Sequence, residues 1–373
     1  MATVKCQTIA GIIEELASKK LAEAWDNVGL LIGDGSSKIN KIMVCLDVTE
    51  WVIDEAIEQK VDMIVSHHPV IFGKINRITA DTVLGRKILK LISNNIAVYC
   101  AHTNYDMAKG GLNDLFANHL GFNSFELIEP LHTEKLYKLI VYIPKGHEDK
   151  IFKALVTAGA GHIGNYSSCS YRTEGLGTFL PEEGTHPFIG AQGKLEEVEE
   201  VKLGTLVPQS ILNKVLKALI KAHPYEEPAY DIMPIDNPGD SYGIGRLAQL
   251  QSETTLAVYA EAVKKALKLD KIKFAGDPNK VIKKVALLNG AGNKFTSAAR
   301  FAGADVLVTG DMQHHEILDA VEAGLGIIDA GHFATESLMI PAMAAYLRDR
   351  CNTGGYEVEI IESESNKDIS VII

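Results

Sequence analysis

The sequence predicts an α/β protein whose duplicated α/β/α core is interrupted by a smaller α+β domain of ferredoxin-like order. Three observations carry that prediction. Apolar, β-branched runs alternate with amphipathic stretches of helical length, the pattern of βαβ units with parallel strands and right-handed crossovers. The alternation occurs twice, with matched polar residues at the strand ends. Between the two passages, from about residue 127 to 241, lies a segment of different character. The expected boundaries are 1–126 and 242–373 for the two halves of the core and 127–241 for the insert.

In the first passage, residues 41–47 read as a strand and 51–60 as an amphipathic helix. Asp62-Met63-Ile64-Val65-Ser66-His67-His68 forms the next strand and its polar end. A helix follows over 81–94, then a strand over 96–102, closed by His102-x-x-x-Asp106. In the second passage, Val285-Ala286-Leu287-Leu288 is a strand and 293–301 a helix. Asp305-Val306-Leu307-Val308-Thr309-Gly310-Asp311 is a second strand and 313–323 another helix. The third strand, from Gly326, ends in His332-x-x-x-Glu336. Asp62-x-x-Val65-Ser66 thus matches Asp305-x-x-Val308-Thr309, and the two His-x-x-x-acid endings match each other. In the insert, strands over 135–143 and 229–234, helices over 148–158 and 208–222, and short strands between them give a β-α-β-β-α-β order.

Composition narrows the function. The 373 residues are 46% hydrophobic and 23% charged, as in an ordinary globular chain, and no apolar run is long enough to span a bilayer. A net charge of −11 argues against nucleic acid, whose phosphates are bound through Lys and Arg. Five scattered cysteines without a CxxC pair, and no apolar leader, point to reduced thiols in the cytoplasm.

The strand ends carry the chemistry, because α/β proteins place working side chains there. His67 and His68 leave a strand tip ahead of Pro69, which biases His68 toward extended backbone. A helix starting just past Gly331 puts His332 and Glu336 on one face, about 5–6 Å apart at Cβ. Pseudo-symmetry brings Asp106 to the same place. These five residues make a site for two divalent ions. Mixed imidazole and carboxylate ligation suits Zn²⁺, Mn²⁺, Fe²⁺, Co²⁺ or Ni²⁺, with zinc the first candidate. Five ligands leave open coordination positions, as catalytic sites do. His102, Asp311, Asp26 and Asn289 are candidates for supporting those ligands or meeting substrate. The Asn289-Gly290-Ala291-Gly292-Asn293 turn reads as an anion cradle or, more simply, as a tight βα turn. His314-His315 reads first as the polar face of a helix.

Ser66-His67-His68-Pro69, His102-Thr103-Asn104-Tyr105-Asp106, Thr309-Gly310-Asp311 and Gly331-His332-x-x-x-Glu336 resemble the motifs of the Nif-three-like family, the GTP cyclohydrolase 1 type 2 homologues. Trp25-Asp26-Asn27-Val28-Gly29-Leu30 is similar to that family's N-terminal signature. The resemblance implies a dinuclear site on His67, His68, Asp106, His332 and Glu336, with Glu336 also taking part in the chemistry. It implies a toroidal homohexamer in the cytoplasm with its metal sites facing an internal cavity. The middle region resembles the PII/CutA-like insert of longer members, most clearly at His223-Pro224-Tyr225-Glu226-Glu227-Pro228. The expected function is metal-dependent hydrolysis, with activated water attacking a nucleotide or purine-like ring. A second reading stands beside it: a non-catalytic metal-binding scaffold or regulator whose insert senses an effector.

Overall fold

The computed structural model describes residues 4–370. Contacts divide them into two compact units: the residues up to Leu131 together with those from Tyr242 onward, and His132–Ser241. The chain begins with β1 (Val4–Lys5), α1 (Cys6–Leu16), β2 (Gly29–Ile32), β3 (Lys38–Ile39), β4 (Lys41–Cys45), α2 (Glu50–Glu58), β5 (Met63–Ser66) and α3 (Val83–Ser93). Then come β6 (Ala97–Cys100), α4 (Thr103–Met107), α5 (Leu112–His119) and β7 (Phe125–Thr133). The middle holds β8 (Leu136–Pro144), α6 (Glu148–Thr157), β9 (Ser170–Phe179), β10 (Glu196–Pro208), α7 (Leu212–Ala222) and β11 (Tyr230–Ile235). The last stretch adds β12 (Ser241–Thr255), α8 (Leu256–Ala266), β13 (Lys273–Ala275), β14 (Val281–Ala291), α9 (Thr296–Phe301) and β15 (Val306–Gly310). It closes with α10 (His314–Glu322), β16 (Gly326–Asp329), α11 (His332–Glu336), α12 (Met339–Thr353) and β17 (Glu359–Glu362).

The first unit holds two mixed sheets, ordered β17-β4-β5-β6-β2 and β13-β16-β15-β14-β12-β7. In each, three consecutive strands are parallel at the centre: β4, β5 and β6 in one, β14, β15 and β16 in the other. Their central residues are apolar and buried because helices cover both faces; β5 and β6 are buried at every residue. Flanking the trios, β2, β12 and β13 pair antiparallel, whereas β17, from the C-terminal end, adds to β4 in parallel. The two trios are tied by the same contacts. Asp62 Oδ2 accepts the Asn40 and Lys41 amides at the start of β4, and Asp305 Oδ2 accepts the Lys283 and Lys284 amides on β14. Further along, the Ala101 amide donates to the Ser66 carbonyl and the Ala330 amide to the Thr309 carbonyl. Crossover helices start where Thr side chains cap them: Thr49 accepts from the Val52 amide and Thr82 from the Gly85 amide.

The His132–Ser241 unit is one antiparallel sheet, β11-β8-β10-β9, with α6 and α7 on one face. Leu139, Val141, Ile143, Leu203 and Val207 of the sheet pack on Ile151 and Leu155 of α6 and Val215 and Leu219 of α7. Chain entry and exit lie side by side, with the Glu134 amide donating to the Asp240 carbonyl and the Thr133 and Ser241 hydroxyls 3.1 Å apart.

All five cysteines are free thiols, and four of them, Cys6, Cys45, Cys100 and Cys351, are buried. Among the described residues no helix is long and apolar enough to cross a membrane.

Candidate metal centre

Each ligand candidate sits just past a central parallel strand. His67 and His68 leave β5, His102 and Asp106 lie where β6 turns into α4, and α11 begins at His332 after β16. Gly331 supplies the φ of 83° at which that turn enters α11. Gly290, at the end of β14, also has no room for a side chain, because a Cβ there would collide with the Glu336 carboxylate.

His67 is fully buried, with Nδ1 2.8 Å from the Ala101 carbonyl. Its Nε2 lies 3.6 Å from Asp106 Oδ1 and 3.7 Å from Glu336 Oε1. His68 Nδ1 is 2.8 Å from Asp47 Oδ1, and its Nε2 is 3.0 Å from Glu336 Oε2 and 3.3 Å from His332 Nε2. His332 repeats the arrangement, with Nδ1 2.9 Å from Asp311 Oδ2 and Nε2 2.9 Å from Glu336 Oε2. Asn289 Nδ2 donates to Asp106 Oδ1 at 2.8 Å and to Glu336 Oε1 at 3.2 Å. Three imidazoles therefore have their rear nitrogens anchored while their Nε2 atoms converge. That is how metal-binding histidines are oriented. Two converging atoms, His67 Nε2 and Glu336 Oε2, are buried and satisfy no hydrogen bond. Glu336 Oε2 lies 3.0 and 2.9 Å from the His68 and His332 Nε2 atoms, yet neither contact is a hydrogen bond.

Burial alone would push the His67 and His68 rings down. Asp106 and Glu336 outweigh it at His67 and hold that imidazole above its ordinary value. Asp47 and Glu336 do the same at His68, raising it to about 10. His332 is raised against burial, mainly by Glu336. Burial would raise the Glu336 carboxyl, but His67, His332 and His68 hold it well below the carboxylate range. Asp106 is raised by burial, which His67 opposes only in part and Glu336 reinforces. Raised imidazoles beside a depressed carboxylate mark a place where the carboxylates favour positive charge. His68, His332 and Glu336 form a group whose donor atoms all lie within 4.8 Å of one another, as do His67, His68 and His102; either could hold a metal ion.

The structure gathers His67, His68, Asp106, His332 and Glu336 at one point, with His102, Asp26, Asn289 and Asp311 around them. His102 Nδ1 meets Asp26 Oδ1 at 2.9 Å, and its ring centroid lies 5.1 Å from that of His67. Asp311 takes a positive φ of 51° and also holds Asn293 through its carbonyl. The Gly290 amide donates to Thr335 Oγ1 at 2.9 Å, so the Asn289–Asn293 segment does not offer that group to an anion. His314 and His315 are exposed and meet edge to face, ring centroids 5.3 Å apart. Sequence reasoning missed Asp47, the anchor of His68, and Asn113, whose Oδ1 accepts the Asn289 amide and whose Nδ2 donates to the Asp106 carbonyl. A carboxylate directly after the buried run of β4 was the available signal for Asp47. It also missed Phe72, which borders the site together with Trp25. Trp25 and Phe72, 65% and 58% exposed, set their rings 5.9 and 6.1 Å from that of His102. Asn27 Nδ2 donates to the Ile71 carbonyl and tethers the Phe72 loop.

A family model for Duf34/NIF3 (NGG1p interacting factor 3) matches residues 4–369. A Halalkalibacterium halodurans protein named GTP cyclohydrolase 1 type 2 homolog is 46% identical over 362 residues, 97% of each chain. A Bacillus subtilis protein of the same name is 44% identical over 98% of this chain and 97% of its own. The crystal structure of a Bacillus cereus protein related to NIF3 superposes with a TM-score of 0.94 at 42% identity, covering 100% of both chains. Matched from end to end by that family's model and by relatives of the same length, this chain belongs to the Duf34/NIF3 family.

Proposed function

We propose that the cluster is a dinuclear metal centre serving hydrolysis of a nucleotide or purine-like compound. The observation that carries this reading is the split of Glu336. Its Oε1 faces His67 and the Asn289 amide that also holds Asp106, and its Oε2 faces His68 and His332. His67 and Asp106 would hold one ion and His68 and His332 the other, with Glu336 bridging. The buried, unsatisfied His67 Nε2 and Glu336 Oε2 fit that role. When bound, two such ions supply a water of lowered pKa and Lewis-acid polarisation of the group under attack. The protein's part is orientation. Asp47 and Asp311 hold the His68 and His332 rings, and Asn289 holds both carboxylates. His102, fixed by Asp26, turns its other ring nitrogen inward. Trp25 and Phe72 beside it offer stacking surfaces to a planar ring, which supports a heteroaromatic substrate. The names of the relatives agree with that substrate class.

In the same reading the parallel trios are two copies of one α/β unit, and the strand order of His132–Ser241 is that of a ferredoxin-like insert.

Reconstitution with Zn²⁺, Mn²⁺, Fe²⁺, Co²⁺ or Ni²⁺, followed by elemental analysis and a nucleotide screen, tests the proposal. Two ions per chain are expected, with turnover for at least one metal. Glu336→Gln should lower the ion content and reduce turnover by about 10²-fold or more. No turnover with any metal sinks the hydrolase reading, and full ion content in the variant sinks the assigned bridge.

A further inference from the structure

The His132–Ser241 unit contains a cavity of about 450 Å³ that the metal centre does not use. One wall includes Tyr225, Glu226 and Glu227. His223 Nδ1 accepts the Tyr225 amide at 3.1 Å, so its proton sits on Nε2 and is donated to the Tyr142 carbonyl at 3.0 Å. A buried neutral imidazole thus locks Tyr225 in place. The Tyr225 ring is flanked by Phe179 and Phe188, centroids 5.9 and 6.3 Å away and tilted by 57° and 52°. Its hydroxyl donates to Glu200 Oε1 at 3.1 Å. The Glu200 carboxylate lies over Gly177, where any Cβ would collide with it.

The chemistry of the wall restricts the ligand. Glu182, Glu226 and Glu227 join Glu200, while among the described residues no Lys, Arg or His lines the cavity. Glu226 is held by the His186 amide. Nearby, Lys202 rests on the Tyr142 ring, 5.8 Å from the centroid, and His147 meets the Phe188 ring edge to face at 5.5 Å; neither is part of the wall. Phosphates and carboxylates would meet uncompensated negative charge. A neutral apolar ligand would strip water from Glu200 and return nothing. Among the described residues, the groups close enough to hold a metal ion lie in the other unit. Aromatic faces and a carboxylate together suit one kind of guest, because the ring faces are electron-rich.

We propose that this cavity binds a small organic cation, an ammonium or guanidinium on an apolar body, with its charge set between Glu200 and the rings of Phe179, Phe188 and Tyr225. The cavity's size suits a guest of metabolite dimensions. This assignment is independent of the metal centre and stands or falls by itself.

Calorimetric titration of the full chain tests it, with choline, agmatine and spermidine as cations. The uncharged 3,3-dimethylbutan-1-ol serves as the counterpart of choline. At least one cation should bind once per chain, and if it is choline the alcohol should bind about tenfold more weakly or worse. Glu200→Gln should weaken the cation by about tenfold or more, and Phe188→Ala by about threefold or more. Phe188 is 52% exposed, so its truncation spares the core even if the Glu200 variant proves unstable. Absence of heat with all three cations at millimolar concentration overturns the proposal. So does equal binding of choline and the alcohol, or unchanged affinity in Phe188→Ala.

Discussion

Asp26 accepts hydrogen bonds from His102 Nδ1 and from both the amide and the hydroxyl of Thr103. Burial would raise its carboxyl, but these partners bring it down to about 2, below the ordinary 3.8. A depressed carboxylate stabilises the fold fully above its unfolded value and loses that contribution as pH falls through its folded value. Asp26→Asn is therefore expected to cost on the order of 1–2 kcal/mol at pH 7. The gap to the parent should shrink between about pH 4 and about pH 2. Urea unfolding at several pH values checks this; a gap that stays constant to pH 2 refutes it. At the candidate metal site, proton occupancy sets the expected direction of pH dependence. With His68 raised to about 10, ion uptake at neutral pH should release protons and weaken as pH falls. Calorimetry in buffers of different ionisation enthalpy reads the released protons directly, and a result independent of buffer would contradict it. Among single residues, the histidines and acids at strand ends were legible because local pattern marks strand ends. Asp47 was not, since its role depends on β4 lying beside β5, and Asn113 was not, since it reaches Asn289 from 176 residues away.

At the scale of elements, Asp62 and Asp305 do equivalent work. Each ties the start of one central strand to the turn before the next. Asp62→Ala and Asp305→Ala should each destabilise by roughly 1–3 kcal/mol, because two strand amides lose an ionised acceptor. They share no partner, so the double variant should show near-additive loss in urea unfolding. A large cost at one site with none at the other would break the equivalence. The element order along the chain was legible from alternation, and the long apolar runs identified the buried parallel strands. Boundaries moved by a few residues at caps: the helix expected from 81 starts at Val83 after Thr82, and the one expected from 51 at Glu50 after Thr49. Sheet membership at the edges was not legible. The strand β17 belongs with β4, over 300 residues earlier, and β7 lies beside β12. Nothing in the local pattern of a short edge strand names its partner.

For the whole molecule, the adjacency of Glu134 and Asp240 means that the chain leaves for His132–Ser241 and returns at nearly the same point. Domains with neighbouring ends tolerate insertion and removal. Replacing residues 134–240 by a short Gly-containing turn should leave the ion content of the proposed metal site unchanged in elemental analysis, while cation binding in the aromatic cavity disappears. Loss of the ions from a folded variant would refute the independence of the two sites. By itself the sequence determined the α/β class, the order of strands and helices, and the acids and histidines at the strand ends. These follow from periodicity and apolar runs that act over a few residues. Tertiary structure alone decided which edge strand joins which sheet, how Asp47, Asn113 and Phe72 come to border the candidate metal site, and that Tyr225, Phe179, Phe188 and Glu200 line one cavity. Those depend on contacts such as that of the Leu46 amide with Asn366, 320 residues apart, where packing rather than local propensity selects the partner.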